Sequence, residues 1–149
     1  MQNLKNFDNS GYKPGNFLKR SLWYFFSEIF FNTFIPFPGF IKLKILKFFG
    51  AGVGKCVIIK PRVRIKYPWF LEIGDYSWIG EDVWIDNLDF VVIKENVCVS
   101  QGAMILSGAH NYKSEKFDLI TKKIIIESGA WICAKSVVLQ GVKCKSNSI

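Results

Sequence analysis

An apolar residue returns every six positions through most of this chain. Val53, Ile59 and Ile65 open the series, Ile73, Ile79 and Ile85 continue it, and Ile93, Val99 and Ile105 follow. After a gap come Ile126, Ile132, Val138 and Cys144. A compact residue tends to sit four places later, as at Val57, Val63, Ser77, Val83, Val97, Ala103, Ala130 and Ser136. A period of six fits neither the 3.6 of a helix nor the alternation of an ordinary strand. It fits a hexapeptide-repeat parallel β-helix, in which three six-residue faces close one coil. Coils then stack at the ~4.8 Å spacing of neighbouring strands. The recurring aliphatic points inward and builds a continuous buried column, while the compact residue fits the corner. Glycines at the second place (Gly54, Gly74, Gly80) are expected to supply turns of positive φ. Spacing alone gives no handedness.

Departures from the period mark the organisation. Residues 51–149 form the repeat domain, with two-residue insertions between Ile65 and Ile73 and between Ile85 and Ile93. Residues 107–123 (SGAHNYKSEKFDLITKK) have no repeat register, so they must leave the stack at a corner as an external loop. Such loops carry function more often than the coils they interrupt. Residues 1–50 form an N-terminal arm. Its first 16 residues are polar and read as extended, and an aromatic, basic stretch follows. Trp23, Phe26, Phe30, Phe34 and Phe37 have helical spacing, which predicts an amphipathic helix ending at Pro36 and Pro38. The run falls short of the ~20 apolar residues that span a bilayer. Two roles fit the arm: a cap over the open strand edges of the prism, or subunit packing, and a peripheral anchor with aromatics at a membrane interface.

Twenty basic residues against twelve acidic give a formal charge of +8, a field that favours anionic partners. Nucleic acid is the weakest of these, because no zinc-finger, recognition-helix or RNA-binding motif is present. Cys56, Cys98, Cys133 and Cys144 lack metal-ligand or redox spacing and read as reduced thiols in a cytoplasmic protein. His110, the sole histidine, stands at the root of the external loop, where an imidazole can act as a general base. One histidine without a cluster of other ligands does not make a metal site.

Four stretches carry a more specific likeness: LKFFGAGVGKCVIIKPRVRIKYPW (46–69), IGDYSWIGEDVWIDNL (73–88), VCVSQGAMILSGAHNYKSEKFDLI (97–120) and GAWICAKSVVLQGV (129–142). Through them the chain resembles the hexapeptide-repeat O-acetyltransferases, among them the colanic-acid-type exopolysaccharide acetyltransferases. The resemblance implies an all-β, left-handed parallel β-helix and a homotrimer with active sites between subunits. It implies acetyl-CoA as donor and the hydroxyl of a sugar or lipid-linked saccharide as acceptor. On the family's pattern His110 is the base, and Asn87 or the adjacent Asp86 positions the acceptor or hydrogen-bonds the base. The residue-level alternative for this Asp-Asn pair is a tight corner. Tyr112 and Phe117 would line the acceptor pocket, or else pack the loop on the coils. Trp131 and Ala134 would flank the coenzyme. Transfer would be direct, without an acetyl-enzyme.

Ala109 and Asn111 flank His110 where the family carries Asn or Ser and then Asp, and Cys133 and Lys94 replace repeat glycines. The sequence stops at Ile149, inside a coil, so it is expected to fall short of the family's full stack. Two alternatives stand beside sugar O-acetylation: a non-catalytic trimeric scaffold at the membrane, and N-acetylation of an amino sugar.

Overall fold

The computed structural model describes residues 4–149. Among the described residues the arm carries a 3-10 turn at Leu4–Asn6 and two α-helices, α1 (Phe17–Phe30) and α2 (Gly39–Phe48). The first coil of the prism then holds β1 (Gly52–Val53), β2 (Ile58–Ile59) and β3 (Arg64–Ile65). The second holds β4 (Leu71–Ile73), β5 (Trp78–Ile79) and β6 (Trp84–Asp86), and the third β7 (Val91–Ile93), β8 (Cys98–Val99) and β9 (Met104–Leu106). A hairpin of β10 (Gly108–His110) and β11 (Leu119–Thr121) leaves the stack before the fourth coil. That coil holds β12 (Ile124–Ile126), β13 (Trp131–Ile132) and β14 (Val137–Leu139), and β15 (Lys143–Cys144) follows.

The repeat residues lie on one another. Val53 pairs with Ile73, Ile73 with Ile93, Ile93 with Ile126, and Ile126 with Cys144, all in parallel register. The second face stacks Ile59, Ile79, Val99 and Ile132 in the same way. The third stacks Ile65, Ile85, Ile105 and Val138. Nearly all these side chains are buried in one cluster with the compact corner residues. The insertions leave the ladders intact: the first becomes a single 3-10 turn at Pro68–Phe70.

The second-place glycines serve a different purpose from the one expected. Gly54, Gly74 and Gly80 do not adopt positive φ. A Cβ on Gly74 would stand 2.4 Å from the Glu95 nitrogen of the next coil, and one on Gly80 2.9 Å from the Gln101 nitrogen. The missing side chain lets successive coils close on each other. Positive φ recurs instead three residues before the inward aliphatic, at Cys56, Arg62, Tyr76, Asp82, Asn96, Gly102, Gly129, Lys135 and Gly141. Gly, Asn and Asp suit that corner; Cys56, Arg62, Tyr76 and Lys135 are held there by the ladders on either side.

Neighbouring coils exchange backbone hydrogen bonds in both directions. N–H groups of the first coil donate to carbonyls of the second, as from Lys60 to Ile79 (3.0 Å) and from Arg64 to Val83 (2.9 Å). The second coil also donates back, as from Tyr76 to Lys55 O at 2.8 Å, while the carbonyls of Ile59, Lys60 and Ile65 face the N-terminal end. The arm supplies the donors: Trp23 Nε1–H reaches the Ile65 carbonyl at 2.9 Å, and the Lys42 ammonium reaches Lys60 O at 3.0 Å and Ile59 O at 3.3 Å. Trp23, Phe31, Leu46 and Phe49 extend the apolar core over that end. Capping is thus a role the arm performs.

The helix stops sooner than its aromatic spacing suggests. Asn16 Oδ1 accepts the Lys19 N–H at 2.7 Å and starts α1. At the other end the N–H groups of Phe31 and Asn32 both return to the Ser27 carbonyl. The chain then turns, which leaves Phe34 outside the helix and exposed.

Candidate active site

The external loop is a hairpin rather than a structureless excursion. Gly108 pairs with Thr121, Ala109 with Ile120, and His110 with Leu119, antiparallel. Asn111 N–H closes the tip on Asp118 O at 2.8 Å. At its root the buried Ser107 hydroxyl accepts the Asp89 N–H at 2.8 Å, tying the hairpin to the turn that follows the second coil. A Cβ on Gly108 would come within 2.3 Å of Leu88, so this glycine seats the hairpin against the prism.

His110 is held on two sides. Its Nδ1 lies 2.8 Å from the Phe117 carbonyl, which can only accept, so Nδ1 carries the proton. The Phe117 ring stacks on the imidazole at 4.3 Å and 3°, and Phe7 of the arm meets it edge-on at 5.4 Å. With Nδ1 committed, Nε2 retains the lone pair of the neutral ring. Phe117 thus clamps the histidine from the positive-φ position of the tip (φ 53°).

His110 lines a cleft of about 420 Å³. Leu88, Lys66 and Tyr67 form its prism side, Leu119 joins His110 on the hairpin side, and Phe7, Asn9, Tyr12, Pro14 and Arg20 form its arm side. Tyr12 OH donates to Leu88 O at 2.6 Å, and Trp69 Nε1–H to Pro14 O at 2.8 Å, fixing the arm across the prism. Burial pushes the Tyr12 phenol well above its ordinary range; Tyr67, Asp86 and Asp89 add to the shift and Arg20 opposes it.

Asn87 does not hydrogen-bond His110. It is fully buried, and its Oδ1 accepts the N–H groups of Lys66 (3.1 Å) and Tyr67 (3.0 Å) while its Nδ2 donates to Tyr67 O (2.6 Å). The carboxamide holds the first-coil corner that presents Lys66 and Tyr67 to the cleft. Asp86 places Oδ1 3.3 Å from Lys66 Nζ and has no bond to the imidazole. Tyr112 lies exposed at the tip, with Lys113 Nζ 5.8 Å from its ring centroid, away from the cleft lining.

Trp131 and Ala134 lie elsewhere on the chain. Trp131 is half-exposed on the second face, where its Nε1–H donates to Ser100 Oγ at 2.7 Å. It lines a separate cavity of about 420 Å³ with Trp78, Cys98 and Gln101. Ala134 is exposed at the following turn. One copy of the chain therefore keeps Trp131 and His110 on different surfaces. Among the described residues no group of three or more His, Cys, Asp or Glu side chains could hold a metal. The arm's share of the cleft, above all Phe7, Tyr12 and Arg20, was missed in sequence reasoning because nothing in the repeat refers to it.

No protein-family model matches the chain. It is 33% identical over 143 residues to the putative colanic acid biosynthesis acetyltransferase WcaF of Escherichia coli strain K12, covering 95% of this chain and 79% of that one. The protein of the same name from Shigella flexneri matches to the same extent. Among solved structures, a hexapeptide-repeat acetyltransferase of Vibrio cholerae O1 biovar eltor, complexed with acetyl coenzyme A, superposes with a TM-score of 0.77. That match has 17% identity and covers 87% of this chain and 71% of the other. A maltose O-acetyltransferase from Clostridium difficile 630 gives 0.75 at 16% identity, over 85% and 68% of the two chains. The prism is therefore the left-handed parallel β-helix of these structures. With a relative one-third identical along nearly its whole length, the chain belongs to the hexapeptide-repeat acetyltransferases, the family of the colanic acid biosynthesis enzyme, and is an acyltransferase.

Proposed function

We propose that the chain transfers an acetyl group from acetyl-CoA to a sugar hydroxyl in exopolysaccharide or capsule synthesis, with His110 Nε2 as the general base. The observation that carries this reading is the fixed tautomer: the Nδ1–H bond to the Phe117 carbonyl leaves Nε2 unprotonated in a cleft of small-ligand size. Nε2 takes the hydroxyl proton as the oxygen attacks the thioester carbonyl. The tetrahedral adduct collapses with loss of the CoA thiolate, and the imidazolium returns the proton to that sulfur. The relative named for colanic acid biosynthesis and the neighbour complexed with acetyl coenzyme A support the acceptor class and the donor.

On this reading a second copy completes the site, in a homotrimer. Trp131, with Ala134 beside it, forms the donor groove on the second face, and the hairpin of a neighbouring subunit brings His110 to it. The outward column Ile58, Trp78, Cys98 and Trp131, stacked in register, is an apolar face suited to such a contact. We place the reaction in the cytoplasm. Leu18, Leu22, Phe25 and Ile29 form one exposed apolar row on α1, which suits attachment at the inner face of the membrane.

Release of CoA thiol from acetyl-CoA with candidate sugars tests the proposal. His110→Ala should reduce turnover about 10²- to 10⁴-fold with unchanged circular dichroism. Full turnover in that variant would remove the histidine from the mechanism. Absence of acetyl-CoA binding in the wild-type protein would favour a scaffold.

A further inference from the structure

We propose that Arg20 and Lys66 form an anion subsite beside His110, so that the acceptor carries a phosphate or carboxylate near the hydroxyl that is acetylated. This rests on the reading in which the His110 cleft receives the acceptor. The charge of the lining comes first. Apart from the imidazole, the ionisable groups lining the cleft are Arg20, Lys66 and the two phenols Tyr12 and Tyr67; no Asp or Glu lines it among the described residues. Asp86 stands 3.3 Å from Lys66 and offsets part of its charge, which leaves Arg20 as the lining cation without an ion pair among the described residues. Such a wall focuses the field onto an entering anion.

Arg20 is also the cleft's unfilled donor. Its Nε–H is shut off from solvent and has no hydrogen-bond partner, and the guanidinium forms no ion pair among the described residues. No ion pair or hydrogen bond joins Arg20 to a neighbouring acid among the described residues, although Asp86 Oδ1 is itself buried without a hydrogen-bond partner. Asp86 faces Lys66 at 3.3 Å, Asp89 Oδ1 accepts the Phe90 N–H at 2.6 Å, and Glu28 accepts from Asn32 Nδ2 at 2.9 Å. Buried polar groups of folded proteins are nearly all satisfied, and a planar guanidinium is best satisfied by a bidentate oxyanion.

Arg20, Lys66 and Tyr67 line a second cavity as well, about 600 Å³ in volume, beneath α1 beside Trp23 and Trp84. The two side chains therefore stand on the wall between the cavities. A neutral acceptor offers them hydroxyl oxygens but no countercharge, whereas an oxyanion gives charge-assisted bonds. A site built around cations therefore favours the acceptor that brings the opposite charge.

Matched trios of a hexose, its 1-phosphate and its uronic acid, assayed by CoA thiol release, test the subsite. A charged member should exceed its neutral partner at least about tenfold in kcat/KM, and phosphate against uronate identifies the source of the anion. Arg20→Gln should cut that preference to within about threefold, through KM for the charged acceptor, with KM for acetyl-CoA unchanged. Lys66→Gln, at a more exposed position, should reduce it less. Equal use of neutral and charged partners, or a preference that survives both substitutions, overturns the proposal. A rise in KM for acetyl-CoA alone also overturns it, giving the cations to the donor. Should no sugar be acetylated, the catalytic reading fails, and calorimetry with inorganic pyrophosphate decides the subsite. Binding weakened at least about tenfold by Arg20→Gln sustains it, and binding that is absent or unaltered sinks it.

Discussion

In the prism one contact is used again and again. Ile73 lies on Ile93 and Ile93 on Ile126, and the other two faces repeat the arrangement with Ile79 on Val99 and Ile85 on Ile105. In the arm no contact recurs. Trp23 caps one carbonyl, Lys42 two more, Trp69 holds Pro14, and Tyr12 holds Leu88, each through a different donor. A defect in the repeated contact is felt by the coils above and below it, because each coil is the floor of the next. A singular contact fails alone. The cleft lies where these two kinds of order meet, with Lys66, Tyr67 and Leu88 on one side and Phe7, Tyr12 and Arg20 on the other.

The sharpest way to break that contrast is to damage the column. Ile105 is fully buried between Ile85 and Val138, so Ile105→Ala should destabilise the chain by about 2–5 kcal/mol, read as a lower urea midpoint. Next comes the coil-to-coil approach at Gly74. Gly74→Ala forces Cβ against the backbone of the next coil, at a cost of about 1–3 kcal/mol. If that variant is as stable as wild type, close stacking is not what selects the glycine. The arm should respond less. Trp23→Phe keeps an aromatic ring but leaves the Ile65 carbonyl without its donor, for a loss of about 1–2 kcal/mol. A loss as large as that of Ile105→Ala would erase the distinction between repeated and singular contacts.

The same contrast explains what was legible in the sequence. A period of six is imposed by every coil, so Ile59 to Val138 could be placed on three faces before any coordinates. The corner conformation was less visible, because the backbone ladders hold positive φ even at Arg62, Tyr76 and Lys135, whose side chains do not advertise it. His110 was findable as the lone histidine at a break in register. Phe117 was read as an acceptor contact or as loop packing; that its carbonyl and ring meet the histidine, seven residues away, depends on how the hairpin tip folds and was not legible. Asn87 is the converse case. A polar residue in the coil before the histidine resembles a catalytic partner in sequence, while its three hydrogen bonds all run to the backbone of Lys66 and Tyr67. Arg20 left no periodic trace at all.

The smallest effect belongs to the bond that ties arm to prism at the cleft. Tyr12→Phe removes the hydroxyl from Leu88 O and should cost about 0.5–1.5 kcal/mol near neutral pH. Its pH dependence has a definite sign. In the folded chain burial keeps the phenol protonated beyond its ordinary range, whereas the unfolded chain releases that proton near the usual pKa of about 10. The unfolded state then binds fewer protons, so the stability Tyr12 contributes is fully present below about pH 10 and falls as pH rises further. Lys42 works in the other direction. Burial depresses its ammonium, so the folded chain gives up that proton first, and stability rises with pH until the unfolded lysine also titrates. Because Tyr12→Phe leaves Lys42 in place, the difference between wild type and variant isolates the phenol. Urea unfolding should show the wild-type advantage constant from about pH 7 to pH 9 and shrinking above about pH 10. An advantage that grows in alkali would mean that the arm is held at Leu88 by something other than the neutral hydroxyl.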